Sequence, residues 1–191
     1  VVFTSDNGTT HLKREVDYDF FASVKPLRGL KGSLYEGGVR VPLIVRWPGH
    51  VPADTSSDVV TGFEDWIPTL LALTGSRQQV PDMVDGISIA AALTGQRQPV
   101  RPFLYREFSG YGGQQAVWIG RWKGVRQRLS RANNPNSLKI ELYDLQKDIA
   151  ESNDVAGKNP KVVARIRDLM NREHRPSTIF PIKALDATVR Q

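Results

Sequence analysis

Two short runs of apolar and β-branched residues constrain this chain more than anything else in it. Val1-Val2-Phe3-Thr4 and Val41-Pro42-Leu43-Ile44-Val45-Arg46-Trp47 are almost continuously hydrophobic, with no polar residue at every second place. A strand with one wet face alternates. An unbroken run of this length reads as a strand buried on both faces, the pattern of a sheet layered by helices. Ser5-Asp6-Asn7-Gly8 stops the first run and Pro48-Gly49 the second. Between them, residues 9–38 are rich in glycine, charge and aromatics and show no period. A loop that long inside a compact domain is functional or disordered. The chain opens inside the first run without a methionine, so polypeptide upstream of Val1 is expected.

Downstream, Asp65 is a good N-cap for a helix with Pro68 in its first turn. Trp66, Ile67, Leu70, Leu71 and Leu73 give it an apolar face, and Gly75 ends it. Ser88 to Leu93, closed by Gly95, reads as a shorter helix. Beyond Pro99 and Pro102 the texture changes. Phe103–Phe108, Ala116–Arg126 and Ile140–Leu145 read as strands, with turns at Gly110–Gly113 and Asn133-Asn134-Pro135-Asn136. Asn159 with Pro160 starts a helix whose stripe is Val162, Val163, Ile166, Leu169 and Met170. The expected divisions are residues 1–102, part of an α/β domain; 103–175, an antiparallel sheet with one helix; and 176–191, an irregular tail.

Composition narrows the chemistry. The chain has 191 residues and no cysteine, which removes disulfides, thiolate metal ligands and thiol nucleophiles together. Its 26 basic and 20 acidic residues leave a net charge of +6. That charge would suit a polyanion, but it is spread along the chain, as in a basic piece of a larger protein. No helix-turn-helix, zinc-finger spacing or aromatic-basic motif supports nucleic acid, and no apolar run approaches the length of a membrane span.

Two segments carry candidate chemistry. Asp6-Asn7-Gly8 is either a plain Asx-Gly turn or a carboxylate and an amide oxygen set at the carboxyl end of a strand, where open α/β sheets place their ligands. Two adjacent hard oxygens suit Ca²⁺ or Mg²⁺ and suit Zn²⁺ poorly. The stretch Leu27 to Pro42 carries glycines at 29, 32, 37 and 38 around Lys31. It is either a glycine-rich turn with solvated cations or a loop that brings a compact positive charge to an anion. His11 could face a substrate or be a solvated loop histidine. Trp118 and Trp122 could offer a sugar-stacking face or pack in a small sheet.

In order along the chain, these segments resemble the sulfatase family. The matching residues are Phe3-Thr4-Ser5-Asp6-Asn7-Gly8, Lys31, Glu36-Gly37-Gly38-Val39-Arg40-Val41-Pro42 and Arg46-Trp47-Pro48-Gly49. Pro68-Thr69, Gly120-Arg121-Trp122-Lys123, Glu141-Leu142-Tyr143-Asp144-Leu145 and Glu151-Ser152-Asn153 extend the match. The resemblance implies an alkaline-phosphatase-like α/β fold, represented by its C-terminal part, plus a small antiparallel subdomain with one helix.

It also implies hydrolysis of sulfate esters by a formylglycine made from a cysteine or serine in C/S-x-P-x-R. A divalent cation, usually Ca²⁺ and less often Mg²⁺, would polarise the sulfate. By motif position Asp6 and Asn7 are metal ligands. Lys31 is the catalytic, sulfate-binding lysine, and Glu36 and Arg40 hold the loop by pairing. The chain departs from the family in having neither cysteine nor Ser-x-Pro-x-Arg. The nucleophile and the remaining ligands are therefore expected in an N-terminal half, and the chain alone is expected to be inactive. The expected substrate is a sulfated carbohydrate and the expected location periplasmic or secreted. A phosphate or phosphonate ester hydrolase of the same superfamily, or a non-catalytic polyanion-binding module, are the alternatives.

Overall fold

The computed structural model describes residues 1–12, 14, 16–130 and 138–189, with side chains as far as Asp186. The expected turn at Asn133–Asn136 lies outside the described residues. The chain divides into two compact units, one formed by Val1–Thr4 and Pro42–Pro102, the other by Ser5–Val41 and Phe103–Gln191.

In the first unit, β1 (Val2–Thr4) pairs antiparallel with β2 (Leu43–Val45), Phe3 facing Ile44 across the ladder. Both strands fall where the apolar runs place them. They are not buried on both faces, however: Phe3 and Ile44 are each 60% exposed. Each has one ladder partner among the described residues, so two strands alone leave their apolar faces open.

Helix α3 (Trp66–Leu73) follows a 3₁₀ turn at Phe63–Asp65. Asp65 does not cap α3 with its side chain. Its buried carboxylate instead accepts hydrogen bonds from Thr61 Oγ1 (3.0 Å), Gly62 N (2.8 Å) and Ile87 N (2.8 Å), and it pairs with Arg101. Burial works against its charge, yet those N–H donors and Arg101 hold the carboxyl below the usual range. Thr69 Oγ1 gives its proton to Asp65 O (2.6 Å) and accepts from Ile89 N (2.9 Å), which ties α3 to the segment before α4 (Ala90–Leu93).

In the second unit, β3 (Leu104–Phe108), β4 (Gln114–Ile119), β5 (Trp122–Gln127) and β6 (Glu141–Asp144) form an antiparallel sheet in chain order. The single strand expected over 116–126 is two strands. Gly120, with φ 54°, turns the chain between Ile119 and Trp122, which pair across the hairpin.

The period of two then sorts the side chains. Val117, Ile119 and Leu142 face α5 (Pro160–Glu173), packing on its Ile166, Leu169 and Met170. Gly124 lets that helix close in, because a Cβ there would lie 2.5 Å from Ile166 Cγ2. Ala116, Trp118, Val125 and Tyr143 face the other way and pack on Leu34 and Tyr35 from the long loop. That loop holds two short helices, α1 (Tyr18–Phe21) and α2 (Glu36–Val39). The tail is not wholly irregular: α6 (Lys183–Val189) buries Leu185, with Ile182 just before it. Among the described residues no helix is long and apolar enough to cross a membrane.

Candidate active site

The site residues read from the sequence all fall in the second unit, and the turn at Gly37-Gly38 gathers them. Gly8 N donates to Gly38 O at 3.0 Å, and a Cβ on Gly8 would sit 2.0 Å from Gly37 O. Only glycine permits that approach. From the other side, a Cβ on Gly37 would lie 2.3 Å from Gly29 O, and one on Gly38 would lie 2.1 Å from Ser33 O. The segment carrying Lys31 is thus wrapped against the same turn. Lys31 N also donates to Thr9 O at 2.8 Å, one residue beyond Gly8. The Asp6-Asn7 turn and Lys31 are therefore held side by side by backbone contacts.

Asp6 is exposed, and Asn7 Nδ2 donates to its Oδ2 at 2.5 Å. Ser5 Oγ donates to Asn7 O (2.9 Å) and closes the turn. The Lys31 side chain is exposed. Among the described residues no group of three His, Cys, Asp or Glu forms that could hold a metal by itself.

Beneath the turn lies a buried ionic cluster. Lys123, fully buried on β5, puts Nζ 2.9 Å from Glu36 Oε1 and 2.8 Å from Glu151 Oε1. Trp118 Nε1 also donates to Glu36 Oε1 (2.9 Å), and Glu36 N donates to Glu151 Oε2 (2.6 Å). Arg40, more than half exposed, approaches Glu36 Oε2 at 3.6 Å. Burial pushes the Glu151 carboxyl up, and Lys123 only partly offsets it.

Arg28 closes the cluster from the loop side. Its guanidinium lies 3.8 Å over the Tyr35 ring, and Nη1 donates to Tyr143 Oη (2.8 Å) and Glu151 O (3.0 Å). Tyr35 and Tyr143 both donate to Glu141 Oε2, at 2.5 and 2.7 Å. Burial first, and then that shared carboxylate, raises both phenols above their ordinary range.

The remaining candidates divide. Trp118 is buried against the cluster, and the Arg121 guanidinium lies 4.7 Å over the Trp122 ring, so neither is an open sugar platform. His11 is half-buried and meets Tyr111 edge-on, with ring centres 5.5 Å apart. His50 stacks on Trp47, and His174 sits between Glu107 (2.6 Å) and Asp186 (3.0 Å). Sequence reasoning assigned no role to Lys123 and Glu151. A lysine inside the apolar run Trp122–Val125 was the available signal.

Comparison with known proteins decides the family. The model for the C-terminal region of N-sulphoglucosamine sulphohydrolase matches residues 30–175. The chain belongs to the sulfatases. It is 28% identical to arylsulfatase G of Rattus norvegicus, over 83% of this chain and 34% of that protein. To arylsulfatase A of Homo sapiens it is 30% identical, over 88% of this chain and 36% of that protein. The chain therefore spans about a third of the length of these relatives, their C-terminal portion.

Among solved structures, one concerned with the metabolism of multiple glycosaminoglycans by Bacteroides thetaiotaomicron matches with a TM-score of 0.70 and 26% identity. It covers 90% of this chain and 38% of that one. Ps i-CgsB in complex with k-i-k-neocarrahexaose matches at 0.64 and 29%, over 90% of this chain and 34% of that one. The chain thus carries the C-terminal part of the alkaline-phosphatase-like α/β sulfatase fold, with its small antiparallel sheet.

Proposed function

We propose that this chain supplies the sulfate-holding part of a hydrolase acting on sulfated carbohydrates. The observation that carries the reading is the shared anchoring of the Asp6-Asn7 turn and the Lys31 segment on Gly37-Gly38, which brings two hard oxygen donors and an exposed cation to one stretch of backbone. An anionic ester needs both.

Lys31 would neutralise a sulfate oxygen as negative charge builds on the leaving group. Its backbone is held through Thr9 and its side chain is exposed, so it can reach a ligand. Asp6 and Asn7 fit a Ca²⁺ site in kind, because both offer hard oxygens, and not in number, because such a site takes six to eight. For both to hold one cation, Asn7 would swap its amide so that the oxygen lies beside the Asp6 carboxylate, where the nitrogen now donates. Carboxylates from outside this chain would complete the shell. When bound there, the cation supplies Lewis-acid polarisation of the sulfate. The nucleophile, a formylglycine, would also come from outside this chain, which contains no cysteine. Glu36, Lys123 and Glu151 touch no substrate in this scheme; they hold the turn. Two solved neighbours, one concerned with glycosaminoglycan metabolism and one in complex with a neocarrahexaose, support a carbohydrate as substrate.

The test uses the full-length protein that carries this chain. It should release inorganic sulfate from carrageenan or glycosaminoglycan digests, stop when the divalent cation is chelated, and recover with Ca²⁺. Lys31→Ala should lower kcat/KM by about 10²–10³, the scale of losing one preorganised charge contact. A wild-type rate for Lys31→Ala, or faster turnover of the matching phosphate esters, would overturn the reading.

A further inference from the structure

The loop joining β3 to β4 holds an aromatic residue in a backbone state that such residues rarely take. Tyr111 has φ 52°, followed by Gly112 at 92° and Gly113 at 75°. The left-handed region is uncommon for a bulky side chain, and outliers of this kind gather at ligand clamps. A glycine would make the same turn without strain, so the turn itself does not require the ring. Nor does the core: Tyr111 is 62% exposed.

The ring is nonetheless held in place. A Cβ on Gly32 would lie 2.5 Å from Tyr111 Cε2, so the ring rests directly on the residue that follows Lys31. His11 abuts it edge-on, the two planes at 88°, and Phe108 lies 5.9 Å away on a tilted plane. His11 Nε2 is 3.5 Å from Tyr111 Oη, while its buried Nδ1 has no hydrogen-bond partner among the described residues. Single exposed aromatics are ordinary on protein surfaces. This one differs in being strained, seated on a glycine beside the sulfate-holding lysine, and braced by a histidine with unused hydrogen-bonding capacity.

An anchored aromatic with an open face next to a cation matches a flat ring that carries an anion. A pyranose sulfate presents both features: apolar C–H groups on one face and a sulfate on its edge. We propose that Tyr111 holds the sugar ring of the substrate whose sulfate reaches Lys31, and that His11 positions the Tyr111 ring. The proposal rests on the sulfate-ester reading given above, which fixes Lys31 as the anion contact.

The experiment measures the full-length enzyme on whichever carrageenan or glycosaminoglycan oligosaccharide it turns over, with inorganic sulfate as a competing ligand. Tyr111→Ala should raise KM about fivefold, leave kcat within about twofold, and leave inhibition by inorganic sulfate unchanged. Tyr111→Phe should keep the wild-type KM, because the face is retained. His11→Ala should fall between the two while melting at the wild-type temperature. An unchanged KM in Tyr111→Ala, beside a crippled Lys31→Ala, would overturn the sugar platform and leave the sulfate-ester reading standing. Equal loss of oligosaccharide and sulfate affinity in Tyr111→Ala would also overturn it, making Tyr111 a support of the Lys31 loop. Failure of sulfate to inhibit, with a silent Lys31→Ala, would remove the underlying reading and the platform with it.

Discussion

Replacing Lys123 with methionine is the sharpest test of how the Glu36-Gly37-Gly38 turn is held. The substitution keeps the length and most of the volume of the side chain and removes one buried positive charge. Lys123 Nζ stands 2.9 Å from Glu36 and 2.8 Å from Glu151, and it is wholly shielded from water. Without it, two buried carboxylates are left with one N–H donor each, Trp118 Nε1 for Glu36 and Glu36 N for Glu151. Arg40 is too exposed to replace the lost charge. Removing one partner of a buried ion pair costs about 3–5 kcal/mol.

The pH dependence fixes the sign. The Glu151 carboxyl already lies above its ordinary range in the folded protein, chiefly through burial. A group whose folded pKa is raised destabilises the fold as pH climbs past its unfolded value, and losing Lys123 raises it further. The deficit of Lys123→Met should therefore shrink on acidification, by at most about 1.4 kcal/mol per pH unit while one extra proton is bound in the folded state. Urea unfolding followed by tryptophan emission suits the measurement, since Trp118 touches the cluster. A variant within 1 kcal/mol of wild type at pH 8, or one whose deficit widens as pH falls, would refute the reasoning.

Other consequences follow from the same contacts. Gly37→Ala should be poorly tolerated, because its methyl would meet Gly29 O at 2.3 Å; activity should fall with the melting temperature, and an unchanged melting temperature would mean the turn has slack. In the full-length protein, Asp6→Ala should abolish both bound Ca²⁺ and activity, whereas Asn7→Ala, losing only a neutral oxygen, should weaken both; elemental analysis at full occupancy in Asp6→Ala would remove Asp6 from the metal shell. Arg101→Met should destabilise the first unit by about 3 kcal/mol at neutral pH by leaving Asp65 buried without its cation. Because the Asp65 carboxyl lies below its ordinary range, its contribution is present above that range and is lost as pH falls through the folded value, so the cost of Arg101→Met should vanish in acid and show in pH-resolved melting curves.

What the sequence disclosed depended on the range over which each signal acts. The strand runs, α5 with its Asn159-Pro160 start, and the glycine-rich loop around Lys31 are local patterns, legible because period and turn chemistry are local. The division at Gly120 was missed because Ala116–Arg126 carries two separate glycines, Gly120 and Gly124, and no Asn-Gly or Asp-Gly pair of the kind that marks a tight hairpin. The helix at Lys183–Val189 was missed because it is short, with only seven residues over which a helical period could show.

The packing of the long loop on the C-terminal sheet lay beyond any local pattern. It rests on Leu34 and Tyr35 entering one face of the sheet, and on a pairing between Glu36 and Lys123, 87 residues apart. The same pairing explains how a glycine-rich segment can be an ordered site at all. Glycines let Gly8, Gly29 and Ser33 approach the Gly37-Gly38 backbone, and they also give the unfolded loop more conformational freedom to lose. Aromatic packing through Tyr35 and the buried charges on Glu36, Lys123 and Glu151 counter that loss from beneath. Lys31 thereby gains a fixed backbone and an exposed side chain. That combination is what the proposed role of Lys31, meeting a ligand's charge and then releasing the product, requires.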